Sequence, residues 1–346
     1  IVSRDWSSDV CSSDLIDLKK PEGQTALHAL LAHADVFMHS IRPQKLAAIG
    51  LDPAQVRERH PRLVFATLHG FTESGPYGGR PAYDDIIQGM SGIADLSRLQ
   101  GHEPQYFPSA TADKTSGLVA ALSIMAALLA RGQEGRGQHV EVPMFESMVS
   151  FNLIEHLYGQ HFEPALAPAG YPRVTNPWRR PYATRDGHVC MMPYTDAHWQ
   201  RFFRACGRDD LADDPRFTTM AERTRHIGDL YAALGALVAE QPTQHWLALC
   251  ERIDIPAARV NALADLPQDE HLQATGFFQT LDDADMGPVR LTSVPVLFDG
   301  ERPPVSLPPR LGQHTRVSLL DAGVSDAQID AWIACGAIVQ HPRNPA

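Results

Sequence analysis

The sequence predicts an α/β protein: a larger domain built on a parallel sheet with helical crossovers, followed by a second, smaller unit. Three observations carry this. Apolar-periodic helical segments alternate with short apolar strands from residue 16 to about 159. A Pro- and Arg-rich stretch without any period, "APAGYPRVTNPWRRPYATRDG" (167–187), then interrupts the pattern. Beyond it a new strand and a run of helices begin.

The elements follow in order. "PEGQTALHALLAHA" (21–34) opens with Pro, then Glu, and sets Ala26, Leu27, Leu30 and Leu31 on one helical face; "DVFMHS" (35–40) reads as a buried strand. "DPAQVRERHP" (52–61) is a short helix and "RLVFATLHGF" (62–71) the next strand. A glycine-rich turn, "GPYGGRP" (75–81), leads into a helix over 83–96. "ADKTSGLVAALSIMAALLARG" (112–132) is apolar on nearly all sides, which predicts the most buried helix of the chain. A strand at 137–144 and a helix at 145–159 complete the first domain. In the second unit, "HVCMMPYT" and "DAHWQRFFRACG" precede helices near 219–240 and 243–252. A second Pro-rich crossing, "PPVSLPPRLGQHT" (303–315), precedes a helix at 326–338. The expected organisation is a leader at 1–15, a large domain at 16–185, a small domain at 186–300, and a segment at 301–346 that returns to the large domain.

Lys and Arg number 30 against 41 Asp and Glu, a net charge of -11, and no basic run is present. This argues against nucleic acid or an anionic membrane as partner. No apolar run is expected to approach the roughly 18–20 uncharged residues of a membrane span. The five cysteines are scattered without a CxxC pair, and the 16 histidines lack HExxH or HxH spacing. Neither a zinc site nor a disulfide framework is signalled, and a reducing cytoplasm fits.

Asp113 stands at the head of the 112–132 helix, where free N–H groups and the helix dipole favour an anion and keep the carboxylate ionised. A first-turn Asp is also a common cap, and residue type alone favours that reading. Lys19, Lys20, Arg42, Lys45, Arg80 and Lys114 fall on or beside strand-to-helix junctions, where open α/β sheets bind ligands. Lys20 and Lys45 read individually as solvated rim charges. No P-loop and no GxSxG elbow is present.

Taken together, "IDLKKPEG", "ADVFMHSIRPQKLAAIGLD", "HPRLVFATLHGF", "GPYGGRPAYDDIIQGMSG", "ADKTSGLVAALSIMAALLAR", "GRGQHVEVPMFESM" and "PPRLGQHT" resemble the class III CoA-transferases, the CaiB/BaiF family, from residue 16 to about 335. The resemblance implies a Rossmann-like large domain with a smaller α+β domain, assembled as an interlocked homodimer whose crossings are the 167–187 and 303–315 stretches. It implies coenzyme A, as acyl-CoA, and carboxylic acids as substrates, with no metal. Asp113 matches the family's nucleophile, which would form an aspartyl mixed anhydride and then an enzyme–CoA thioester. Tyr83 and Asp84 match the polar pair facing the thioester. Lys19, Ser40, Ile41, Arg42 and Arg80 match positions that hold the CoA nucleotide. The family also contains α-methylacyl-CoA racemases, which place a His in the slot held here by Tyr83; a phenol is a poor base at neutral pH, so racemisation is the weaker alternative. Departures from the pattern are Gln44 for a Gly, Ala48 for a basic residue, and "MMPYTD" (191–196) where some members carry a glycine-rich loop.

The family chain is expected to begin with a further strand–helix–strand before its "LDLK" segment. Here "SRDWSSDVCSSDL" (3–15) stands in that place, with the look of a translated sequencing adapter, so residues 1–15 are expected to be non-native or disordered. A non-catalytic remnant, at most a dimerisation partner, is the alternative this raises.

Overall fold

The computed structural model describes residues 13–341. Of the segment expected to be a leader, residues 1–12 lie outside the described residues. The chain divides into two compact units. The first takes residues 13–87, 110–148 and 267–341 of those described; the second takes 88–109 and 149–266.

The first unit opens with strand β1 (Leu15–Ile16) and helix α1 (Pro21–Leu31), which starts on Pro21 and buries Ala26, Leu27, Leu30 and Leu31 at helical spacing. Strand β2 (Val36–His39) follows, then α2 (Pro43–Ala48) and α3 (Pro53–Arg59). The Asp52 carboxylate caps α3 by accepting from the Ala54 and Gln55 amides. Strand β3 (Val64–His69) and, later, β4 (His139–Pro143) pair in parallel with β2 in the order β2-β3-β4. This is the parallel sheet the alternation predicts.

Between β3 and β4 lie α4 (Asp84–Met90), α5 (Asp95–Leu99) and α6 (Thr111–Glu134). The single helix expected at 83–96 is two. Gly92 takes φ +84°, a left-handed conformation that breaks the helical run. Buried Gln88 also turns its amide to the Phe107 N–H and the Ser109 carbonyl, 2.9 and 3.1 Å away.

The expectation of an all-round buried helix at 112–132 is not met. One face of α6, with Ile124, Ala127 and Leu128, packs on Val36, Val64 and Val140 of the sheet. The opposite face leaves Leu118, Leu122 and Leu129 exposed at 70, 65 and 75 %. Apolarity on all sides says that a helix is to be covered, not that its own chain covers it. The expectation that nothing approaches a membrane span is also corrected: α6 is long and apolar enough by length and composition. Only 16 uncharged residues separate Lys114 from Arg131, and one face of the helix packs on the parallel sheet.

Helix α7 (Met144–His156) follows β4 directly and passes from the first unit into the second. The second unit continues with α8 (Pro172–Thr175), β5 (Tyr182–Ala183), β6 (His188–Met191), α9 (Asp196–Ala205), α10 (Asp209–Ala212), α11 (Met220–Arg225), α12 (Ile227–Val238), α13 (Thr243–Arg252) and β7 (Ala257–Arg259). The helix expected near 219–240 breaks at His226 into α11 and α12. Strands β5, β6 and β7 form an antiparallel sheet. Its core gathers Trp199, Phe202, Phe203, Leu230, Tyr231, Leu234 and Trp246; aromatic and aliphatic side chains of this size contribute roughly 1.5–3 kcal/mol each on full burial.

The chain then re-enters the first unit with α14 (Glu270–Ala274), the hairpin β8 (Phe278–Asp283) and β9 (Gly287–Thr292), α15 (Thr315–Asp321), α16 (Asp326–Ala334) and β10 (Ile338–Val339). The Pro-rich 303–315 stretch carries no regular structure before Thr315, and Arg310 holds it to Asp283 and Asp285, both at 2.6 Å. Strand β10 pairs antiparallel with β1, while Ile329 and Trp332 pack on Ala26 and Leu30. Ser13 and Leu15 bond to this same segment: the Ser13 carbonyl accepts from the His314 amide, and the Leu15 amide donates to the Thr315 hydroxyl.

Candidate active site

Asp113 sits in the first turn of α6, and Asp84 opens α4. Ala110, at the N-cap of α6, has no side-chain oxygen to meet the free amides of the helix head. Asp84 takes that role from 26 residues upstream of Ala110. Its Oδ2 accepts from the Ala112 N–H at 2.8 Å and from the Asp113 N–H at 3.0 Å. The helix head is thereby fixed, and the Asp113 side chain is left exposed beside a second carboxylate.

This reverses the electrostatic expectation for Asp113. The amides that were to hold its anion are spent on Asp84. Local desolvation, and then the Asp84 charge, raise the Asp113 pKa above the usual aspartate value. A carboxylate of raised basicity is a better nucleophile than an ordinary one. Tyr83 precedes Asp84 and is 80 % exposed.

Apart from Lys19, the residues matched to nucleotide binding divide between two places. Ser40, Ile41 and Arg42 form the turn from the carboxyl end of β2 into α2. The Ile41 amide donates to His39 Nδ1, and its carbonyl meets His69 Nε2 of β3, each at 3.1 Å. Arg80 lies in the glycine-rich turn with its guanidinium 4.7 Å from the centre of the Tyr77 ring. These two places adjoin: the Gln44 amide of α2 packs on Gly79, at φ +70°, where any Cβ would overlap it. Gln44, which departs from the family pattern, thus joins the β2 turn to the Arg80 turn.

Lys19 is exposed, in the turn between β1 and α1, and its amide bonds the Asp17 carboxylate at 3.0 Å. Among the described residues no carboxylate pairs with the side chains of Lys19, Arg42 or Arg80. Arg42, at the carboxyl end of β2, and Arg80, in the turn that follows β3, stand where an open parallel sheet suits a phosphate-bearing ligand; Lys19 follows β1, outside that sheet. Lys20 is different. Its ammonium donates to the Cys335 and Gly336 carbonyls at 2.7 and 3.0 Å, closing the end of α16.

The sequence reading did not single out the histidines beside this turn. His39 on β2 and His69 on β3 have ring centres 6.0 Å apart, and the His139 ring of β4 meets Thr67. Burial, with the neighbouring His69 and His139, pushes the His39 pKa down to about 4. Because His39 Nδ1 accepts from Ile41, its Nε2 carries the proton, and that atom is buried without a hydrogen-bond partner. The signal was present in the alternation His39, Thr67, His69 and His139 along three strands, but it becomes visible only once the register is known. Among the described residues no three His, Cys, Asp or Glu side chains converge as a metal site.

Comparison with known proteins follows the same lines. The model of CoA-transferase family III matches residues 12–315. The chain is 27% identical to (R)-2-hydroxy-4-methylpentanoate CoA-transferase of Clostridioides difficile, over 91% of this chain and 79% of that protein. It is 28% identical to the succinyl-CoA–L-malate CoA-transferase beta subunit of Chloroflexus aurantiacus, with the same coverage. Among solved structures it resembles a CaiB/BaiF family protein from Brucella suis, with a TM-score of 0.71, 27% identity, and coverage of 89% of this chain and 80% of that one. It also resembles Rv3272 from Mycobacterium tuberculosis, with a TM-score of 0.73, 25% identity, and coverage of 87% and 79%.

Proposed function

This chain belongs to CoA-transferase family III, and from that premise we propose that it moves coenzyme A from an acyl-CoA donor to a carboxylic acid acceptor with Asp113 as nucleophile. The observation that carries the assignment of the nucleophile is the Asp84 clamp on the Ala112 and Asp113 amides, which fixes the helix head and leaves the Asp113 carboxylate exposed and of raised basicity.

An Asp113 oxygen attacks the thioester carbonyl, the C–S bond breaks, and CoA thiolate leaves a mixed anhydride on Asp113. The thiolate then attacks the aspartyl carbonyl carbon, releasing the donor acid and forming an enzyme–CoA thioester. The acceptor carboxylate attacks that thioester, giving a second anhydride. Thiolate attack on the acceptor's acyl carbon yields the new acyl-CoA and restores Asp113. Covalent relay divides one hard acyl exchange into easier steps. Lys19, Arg42 and Arg80 would hold the phosphates of coenzyme A, with Ser40 and Ile41 beside the nucleotide, and Tyr83 would face the thioester. The relatives act on different acids by name, among them (R)-2-hydroxy-4-methylpentanoate, L-malate and oxalate, so the test uses a panel.

The exposed stripe Leu118, Leu122, Met125 and Leu129 on α6 supports pairing with a second copy of the chain. The 167–187 and 303–315 segments serve as the crossings of an interlocked homodimer in this reading. The test is incubation with a panel of acyl-CoA thioesters and carboxylic acids, with chromatographic detection of new acyl-CoA. Transfer is expected in the unaltered chain and lost in Asp113→Ala. Full transfer by a folded Asp113→Ala variant sinks the assignment.

A further inference from the structure

The turn from β2 into α2 is fixed at its middle residue. The Ile41 side chain packs against the apolar cluster that holds Leu46, Leu51 and Phe65, while Ser40 and Arg42 on either side of it are exposed. Both backbone groups of Ile41 bond to rings: its N–H donates to His39 Nδ1, and its carbonyl accepts from His69 Nε2, each at 3.1 Å. The backbone of a turn leaves the sheet ladder and must find its partners elsewhere. Here two histidines at the ends of adjacent strands supply them.

Both rings are held in place. His39 lies edge-on to Phe65 with ring centres 5.2 Å apart, and His69, 8 % exposed, turns its Nδ1 to Glu73 Oε1 at 3.1 Å. Glu73 is tied in turn to β4, its amide donating to Glu141 Oε1 at 2.7 Å. The two rings have complementary tasks. A carbonyl oxygen only accepts, so His69 Nε2 carries a proton; an amide only donates, so His39 Nδ1 does not.

We propose that His39 and His69 are positioning residues for coenzyme A: by holding the two backbone groups of Ile41 they aim the exposed Ser40 and Arg42 at the nucleotide. Fixing a binding turn in its bound conformation lowers the cost of association. The role belongs to one nitrogen of each ring, whereas histidines that only fill the end of the sheet would act through their volume. The inference rests on the transferase reading for the identity of the ligand, and it is independent of Asp113 as nucleophile.

The full chain is tested with two readouts, the Kd for coenzyme A from titration calorimetry and kcat from transfer at saturating acyl-CoA. His39→Leu and His69→Met keep an apolar side chain in each place and remove the bond to Ile41. Each, checked for folding by circular dichroism, is expected to weaken coenzyme A about fivefold, the loss of one hydrogen bond, with kcat within about twofold. Asn places an oxygen close to the site of His39 Nδ1, and Gln an amide nitrogen close to that of His69 Nε2, so His39→Asn and His69→Gln are expected to bind within about twofold of the unaltered chain. Added to Arg42→Ala, His69→Met is expected to cost less than about twofold more, because it acts through the same turn. The proposal is overturned if either folded apolar variant binds coenzyme A as the unaltered chain does, if the Asn and Gln variants lose as much as the apolar ones, if the His69→Met and Arg42→Ala losses multiply in full, or if the unaltered chain does not bind coenzyme A. Binding in the expected pattern without any transfer overturns the transferase reading instead and leaves the positioning role standing.

Discussion

Asp84 holds Asp113 by its backbone, not by its side chain: Asp84 Oδ2 accepts the Asp113 N–H at 3.0 Å and the Ala112 N–H at 2.8 Å. One carboxylate caps the helix and the other is left exposed. The two roles separate by substitution. Asp84→Ala removes the cap and is expected to cost about 1–2 kcal/mol by denaturant unfolding. Asp84→Asn keeps an oxygen acceptor but removes the charge, so it is expected to lose less stability and to lower the Asp113 pKa, read by carbon-13 titration of the Asp113 carboxyl. An unchanged Asp113 titration in a folded Asp84→Asn chain would contradict the electrostatic half of this account.

Acid is expected to loosen the sheet through His39. Its folded-state pKa is depressed to about 4 from an ordinary 6.5, so the unfolded chain takes the proton first as pH falls. The contribution is intact above pH 6.5 and is lost between 6.5 and about 4. The side chain is only partly buried, so after discounting for solvent the loss is on the order of 1–2 kcal/mol. His39→Gln, compared with the unaltered chain by thermal unfolding at pH 7 and pH 4.5, is expected to show the smaller decline.

The parallel sheet was legible because β2, β3 and β4 are short apolar strands spaced by helical periods, and each boundary fell within a few residues. The break between α4 and α5 was not legible, because it depends on Gln88 finding Phe107 and Ser109 far along the chain. The position of Asp113 at a helix head was readable from the pattern. Its electrostatics were not, since they depend on a cap supplied by Asp84 across the fold. The exposed stripe of α6 was misread as core because composition does not say which chain does the covering.

Phosphate contacts predict a particular kinetic pattern. Arg42→Ala and Arg80→Ala are each expected to raise KM for acyl-CoA about five- to twentyfold while leaving kcat within about twofold, because a contact to the nucleotide is made equally in ground and transition states. The effect is expected to shrink as salt is raised. A fall in kcat at unchanged KM would place these residues elsewhere.

Pairing through α6 is open to a direct check. Leu122→Glu and Leu129→Glu alter side chains that are exposed in the single chain, so the fold is expected to persist while the oligomer dissociates. Sedimentation velocity is expected to show a dimer for the unaltered chain and a monomer for the double variant. A monomer in both, or a dimer in both, would remove α6 from the interface.

The central claim is that the acyl exchange passes through the Asp113 carboxylate. The most direct measurement is hydroxylamine trapping during turnover with an acyl-CoA that the chain consumes, followed by peptide mass spectrometry. A hydroxamate at Asp113, absent without acyl-CoA and absent when transfer is blocked, is the predicted result. Active transfer with Asp113 unmodified, or with the hydroxamate on Asp84 instead, would contradict it.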